Sequence, residues 1–112
     1  MKKLQIIVRP GMLDAVREAL QGLGILGLNY TEIHGYGRQM GHTEVYRGNV
    51  MQVDFLPKLS CEVVLDDEKL ESAITAICDA TRTGHVGDGK IFVTEVLDAI
   101  RIRTGERGKA AL

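Results

Sequence analysis

The stretch Lys58-Leu59-Ser60-Cys61-Glu62-Val63-Val64-Leu65-Asp66-Asp67-Glu68-Lys69-Leu70-Glu71-Ser72-Ala73-Ile74-Thr75-Ala76-Ile77-Cys78-Asp79-Ala80-Thr81 changes its period part-way along. From Lys58 to Leu65 the apolar residues alternate, with Leu59, Cys61, Val63 and Leu65 on one face, which predicts a strand. From Leu70 onward, Leu70, Ala73, Ile74, Ile77, Cys78 and Thr81 recur at helical spacing, which predicts an amphipathic helix. Asp66 and Asp67 lie between the two and are candidate N-caps.

Working outward, the same strand-then-helix unit occurs upstream, and a strand follows on the downstream side. Upstream, Leu4 to Val8 is apolar and β-branched, a buried strand ended by Pro10 and Gly11. Met12, Val16, Ala19, Leu20 and Leu23 then follow a helix that Gly24 stops, and Gly27 to Gly35 fits a second strand. Downstream of Thr81, the segment 83–90 is a glycine-rich loop and Ile91 to Val96 is a fourth strand. Ile100-Arg101-Ile102-Arg103 alternates like a short fifth strand, and the polar tail 105–112 is expected to fray. Residues 37 to about 50 show neither period and predict a long loop, a type of segment that often carries function. The order β-α-β, long loop, β-α-β is the split βαβ, or ferredoxin-like, α+β pattern. It places two helices on one face of a four-stranded antiparallel sheet in a single domain, 1–112.

Composition narrows the functional classes. With 112 residues the chain is long enough for one core without a disulfide or metal staple. Its 14 basic and 15 acidic side chains leave a net charge of -1, which argues against a general nucleic-acid binder. No apolar run reaches the roughly 18 residues of a membrane span. The start, Met1-Lys2-Lys3-Leu4, does not resemble a secretion signal, so a cytoplasmic location is expected. Cys61 and Cys78 each sit in an apolar pattern and read as small core residues in a reducing compartment. Glycine is the anomaly: 13 residues, about 12% against an average of roughly 7%, grouped rather than scattered.

One group carries chemistry. Gly84-His85-Val86-Gly87-Asp88-Gly89-Lys90 has Walker A spacing, but Ile91 stands where a magnesium-binding Ser or Thr belongs, and a strand follows instead of a helix. A P-loop NTPase is therefore rejected. What survives is a run of backbone N–H groups able to nest an anion, with Lys90 adding charge; read alone, the loop is equally a tight turn with a solvated lysine. Arg101 and Arg103, two apart on the predicted strand, project from one face and invite a phosphate between them, although a solvated sheet edge explains a lone Arg-x-Arg as well. Gln39 and Lys58 flank the long loop, and Lys58, just after Pro57, is placed to pair with a carboxylate or to guard a strand edge. His34, His42 and His85 lack metal-ligand spacing, and no nucleophile–base pair is evident. Tyr46 and Met51 on the loop are candidate partner contacts.

These residues together resemble the nitrogen regulatory PII signal-transduction proteins. The likeness runs from Met1 to Thr104 and is carried by residues 37–48, 53–58, 83–93 and 100–106 in order. It implies a homotrimer of ferredoxin-like subunits that binds ATP or ADP competitively in the clefts between subunits. By family analogy Gly87, Asp88, Gly89, Lys90, Arg101 and Arg103 hold phosphates, Gly37, Arg38 and Gln39 complete the nucleotide site, and Glu62 and Val64 lie against the base. Position 29, usually Thr in the family, is Asn29 here and keeps hydrogen-bonding capacity. With Mg²⁺ and ATP the family binds 2-oxoglutarate at the loop base: Gln39 would coordinate the metal, Lys58 would pair with the distal carboxylate, and the backbones of Gly41 and Gly87 would close the pocket. The loop, about 37–55, would then dock on a target such as an ammonium transporter, which would recruit the protein to the membrane, or a nitrogen-assimilation enzyme, with Tyr46, Arg47 and Met51 in contact.

One departure bears on regulation. Many bacterial members carry at position 51 a tyrosine that accepts a nucleotidyl group, and some cyanobacterial members a phosphorylated serine at 49. Here these are Met51 and Asn49, so neither modification is expected. Two other classes were weighed. A small phosphate-handling enzyme using the 84–90 loop lacks the Walker hydroxyl and a base. An RNA-binding ferredoxin-like domain lacks stacking aromatics, with only 2 Phe and 3 Tyr.

Overall fold

Alternation along two central strands buries one face of a sheet and decides everything stacked on it. In a computed structural model, residues 1–36 and 55–112 are described in full, and 42–46 and 49–53 through their backbone. The strands are β1 (Lys2–Val8), β2 (Asn29–Gly35), β3 (His42–Tyr46), β4 (Asn49–Val53), β5 (Leu56–Leu65) and β6 (Lys90–Glu95); the helices are α1 (Leu13–Gln21) and α2 (Leu70–Thr81). The main sheet has the order β2-β5-β1-β6, every pair antiparallel, as the split βαβ reading requires.

Leu4, Ile6 and Val8 of β1 and Leu59, Cys61, Val63 and Leu65 of β5 point to the same side and are buried. Val16 and Leu20 of α1 and Ala73 and Ile77 of α2 complete that core. Each fully buried aliphatic side chain contributes about 1.5–3 kcal/mol. The opposite face carries Lys3, Gln5 and Ile7, Ser60, Glu62 and Val64, and Asn29 and Lys90, placed together by the register Asn29↔Glu62↔Gln5 and Ser60↔Ile7↔Lys90. This uncovered face holds many of the residues singled out for binding.

The helix ends follow local chemistry. Pro10 opens a 3-10 turn into α1, and Gly24 at φ 72° closes it, with the amides of Gly24 and Ile25 bonded back to Gln21 and Leu20. At α2 the expected caps do not cap. No side-chain cap bond forms, because Asp66 is drawn to Lys109 and Asp67 to Lys2 and the N-terminal ammonium.

Three further expectations are corrected. The segment expected to be irregular contains a hairpin, β3 with β4, in the register His42↔Val53 to Tyr46↔Asn49. Its sequence has no alternating apolar pattern, and the hairpin pairs outside the main sheet. Residues 100–103 are not a strand: Ile100 makes a single bridge to Arg107, and the chain turns at 102–104 under Gly105 at φ 74°. The tail is tied down by a 3-10 turn, Gly108–Ala111, and by the Lys109–Asp66 ion pair at 3.0 Å. Cys61 is buried in the core, and burial pushes its thiol up, whereas Cys78 is only half-buried; both are free thiols.

Candidate functional site

The loop after α2 is shaped by its own aspartate. Asp88 accepts hydrogen bonds from the amides of Thr83 (2.8 Å) and Gly84 (2.9 Å) and from the Thr83 hydroxyl. Arg9, at the end of β1, donates to the same carboxylate at 2.7 Å and, through its other terminal nitrogen, to the carbonyl of Val86 at 2.8 Å. The Thr83 hydroxyl, then Arg9 and the Thr83 amide, hold Asp88 well below the usual carboxylate range. Of the three glycines expected to nest an anion, Gly84 donates with Thr83 to an anion of the chain itself, Asp88. The carboxylate of Asp88 is taken up by the loop's own amides and hydroxyl and by Arg9.

Gly89 shows why the loop needs glycine. Its φ is 108°, and a Cβ there would lie 1.7 Å from the carbonyl oxygen of Ile7. The loop backbone is pressed directly onto β1, which delivers Lys90 to the first position of β6, opposite Ile7. A strand follows the loop, as the rejection of a P-loop requires.

Lys58 reaches this loop from β5 and donates to the carbonyl of Gly87 at 3.0 Å. Burial, followed by the nearby Arg9 guanidinium, lowers its pKa, and Asp88 opposes the shift. Lys58, Gly87, Asp88, Gly89 and Lys90 line one cleft of about 410 Å³ with Ile7, Gly35, Tyr36 and Phe92. The Tyr36 and Phe55 rings meet with centroids 5.9 Å apart, so the two ends of the 37–55 segment come together beside it. A cleft with two lysines and a loop backbone at its edge can take an anion bearing more than one charge.

The remaining sites lie elsewhere on the chain. Asn29, Glu62 and Val64 line a second hollow with Lys3, Ala111 and Leu112, and Glu62 pairs with Lys3 at 3.1 Å. Arg101 belongs to this second region: it pairs with Glu106 at 2.8 Å and donates to the carbonyl of Leu112 at 3.3 Å. Arg103 sits in the turn 102–104. The expectation that both arginines share a strand face beside the glycine loop is therefore corrected. Lys90 opens β6, whereas Arg101 lies beyond its end with Glu106 and Leu112, and neither arginine lines the Lys58–Lys90 cleft. Gly37, Arg38, Gln39, Gly41 and Arg47 lie outside the described residues. Tyr46 and Met51 fall on the β3–β4 hairpin, opposite Asn49 and Glu44.

Comparison with known proteins decides the family. A family model described as nitrogen regulatory protein P-II matches residues 1–106. The chain belongs to the nitrogen regulatory protein P-II family. Relatives of that name in Cereibacter sphaeroides and Rhizobium meliloti (strain 1021) are 56% identical, and one in Azospirillum brasilense 55%, each over 112 residues covering the whole of both chains. The P-II family is regulatory, and the four-stranded antiparallel sheet with two helices is its ferredoxin-like fold. Among the described residues no helix is long and apolar enough to cross a membrane.

Two residues of this P-II chain escaped the sequence reading. Arg9 lies between the first strand and Pro10. Its only local signal is a cation at a strand end, and its partners lie 77 and 79 positions away. Thr83 was more accessible, since a Thr five residues before an Asp in a glycine loop can close a side-chain turn.

Proposed function

We propose that the chain is an effector-sensing signal protein of nitrogen regulation, which binds ATP or ADP together with 2-oxoglutarate and reports through the 37–55 loop. The observation that carries the reading is the meeting of Lys58, Gly87 and Lys90 in one cleft at the foot of that loop. A triphosphate and a dicarboxylate side by side repel one another, so they need cations between them. Lys90 serves the phosphates and Lys58 the distal carboxylate. Among the described residues no group of three His, Cys, Asp or Glu side chains could hold a metal by itself. Gln39 would hold a magnesium ion brought in with the nucleotide. Such an ion would supply positive charge between the two effectors.

The rest of the reading extends from the family. Asn29, Glu62, Val64 and Arg101 lie in the second region of the chain, with Arg103 two residues beyond Arg101, and the proposed homotrimer brings that region of one copy to the Lys58–Lys90 cleft of the next. Gly37, Arg38 and Gln39 complete the nucleotide site, and the backbone of Gly41 closes the 2-oxoglutarate pocket. The protein acts in the cytoplasm, as a regulator rather than an enzyme. Its target is an ammonium transporter or a nitrogen-assimilation enzyme, reached by Tyr46, Arg47 and Met51, with no nucleotidyl group added at Met51.

Calorimetric titration with ATP, ADP and 2-oxoglutarate, with and without Mg²⁺, tests this. The expected result is 2-oxoglutarate binding that requires Mg²⁺ and ATP together. Binding of 2-oxoglutarate that ignores both, or no binding at all, overturns the mechanism.

A further inference from the structure

Arg9 stands in the wrong place for a second ligand cation and in the right place for a tether. Its guanidinium is only 30% exposed and the Asp88 carboxylate 24%, so the pair sits half out of water at 2.7 Å, where a charge-assisted bond is strong. The fork is used at both tines, one on Asp88 and one on the Val86 carbonyl. The bonds from Thr83 and Gly84 to Asp88 are local and shape the loop without attaching it to the body. Attachment comes from the Gly89 approach to Ile7, from Lys58 on Gly87 and from Arg9. Lys58 is the group an anionic effector would engage, which leaves Arg9 as the side-chain tether independent of ligand. Asp88 also neutralises Arg9 beside Lys58, two cations that otherwise disfavour each other.

We propose that Arg9 is a positioning residue of the effector site: acting through Asp88, it fixes the 83–89 loop in the shape that nucleotide phosphates meet, without touching the ligand. This rests on the nucleotide-binding reading above.

A double-mutant cycle tests it, with ADP titrated into the wild type, Arg9→Gln, Asp88→Asn and the double variant. Each single change is expected to weaken ADP binding about tenfold, the scale of one lost charge-assisted bond, and the double change no more than the worse single one. Arg9→Lys, which keeps a cation on Asp88, should return to within about threefold of the wild type. Unchanged ADP affinity in Arg9→Gln overturns the proposal, and so do losses that multiply in the double variant, since those mean that Arg9 meets the ligand on its own account. Hydrogen exchange on the ligand-free proteins separates this outcome from failure of the nucleotide reading. Arg9→Gln should speed exchange at 83–89 and leave β1 and α2 unchanged; unaltered exchange in the loop sinks the tether even if the wild type binds no ADP.

Discussion

The ammonium of Lys58 donates to the carbonyl of Gly87 across 3.0 Å, joining β5 to a loop 29 positions later in the chain. Because that bond uses a backbone oxygen, replacing the lysine leaves the shape of the loop largely to Arg9, Asp88 and Gly89. Lys58→Ala is therefore expected to abolish 2-oxoglutarate binding and leave ADP affinity within about threefold, read by titration calorimetry. Burial and Arg9 lower the Lys58 pKa from its ordinary 10.5. The charge that would hold a distal carboxylate is thus lost earlier on the alkaline side than for a free lysine. In the wild type, 2-oxoglutarate affinity should decline as pH rises toward 10, ahead of any change in ADP affinity.

Gly89→Ala should be among the most damaging small changes in the chain. The new methyl would meet the Ile7 carbonyl oxygen at 1.7 Å, on backbone that cannot swing aside, at a φ of 108° that L residues rarely adopt. A loss of roughly 2–4 kcal/mol is expected from strain of this kind, measured as a lower urea midpoint with unchanged slope. Gly84→Ala, with open space around the Cβ and only the positive φ to bear, should cost less.

How much of this was legible depended on whether a signal was local. The β1, β5 and α2 patterns were readable because Leu4, Ile6, Val8, Leu59, Cys61, Val63, Ala73 and Ile77 face one core and repeat at its period. The β3–β4 hairpin was invisible because its strands pair with each other outside the main sheet and their sequence has no alternating apolar pattern. Ile100 to Arg103 deceived because alternation over four residues also fits a turn, and the Gly105 bend and the Arg101–Glu106 pair decided the matter from downstream. At the site, glycine spacing marked the loop, yet its real architecture, Arg9 on Asp88, spans 79 positions and leaves no periodic trace.

Acid should reach the loop through Asp88. Its pKa lies below the ordinary 3.8 when folded, so the unfolded chain binds more protons as pH falls past about 4, and stability falls with it. The contribution is fully present above the unfolded value and is lost through the range below it. Asp67 and Asp98, also lowered, by Lys2 and the N-terminus and by Arg107, act in the same window. In Asp88→Asn the slope of stability against pH below 4 should flatten, measured by thermal melts between pH 2.5 and 5. An unaltered slope would mean that the Thr83–Arg9 cradle does not hold the ionised form.

Met51 carries a thioether, which offers no acceptor for a nucleotidyl group. Intact-mass spectra of the protein from nitrogen-replete and nitrogen-starved cells should therefore coincide. A mass increase of one nucleotidyl group in either sample would place a modification elsewhere, with Tyr46, across from Asn49 on the hairpin, the first residue to check.

The two separated regions of the chain make a prediction about assembly. Lys90 lies in the cleft with Lys58, whereas Arg101 is held near Leu112 by the hollow of Asn29, Glu62 and Val64. If one copy supplies Lys90 and its neighbour supplies Arg101, the contact is head-to-tail and closes as a ring. Lys90→Ala and Arg101→Ala homotrimers should then each bind ATP weakly at every cleft. A trimer containing both variants always has one interface where the intact Lys90 of one copy faces the intact Arg101 of the other, and that cleft should regain wild-type affinity. Mixing the two variants under refolding conditions and titrating the mixed species separates the cases. Recovery of a tight class of sites supports assembly between copies, and its absence in proven mixed trimers means that each chain builds its site alone.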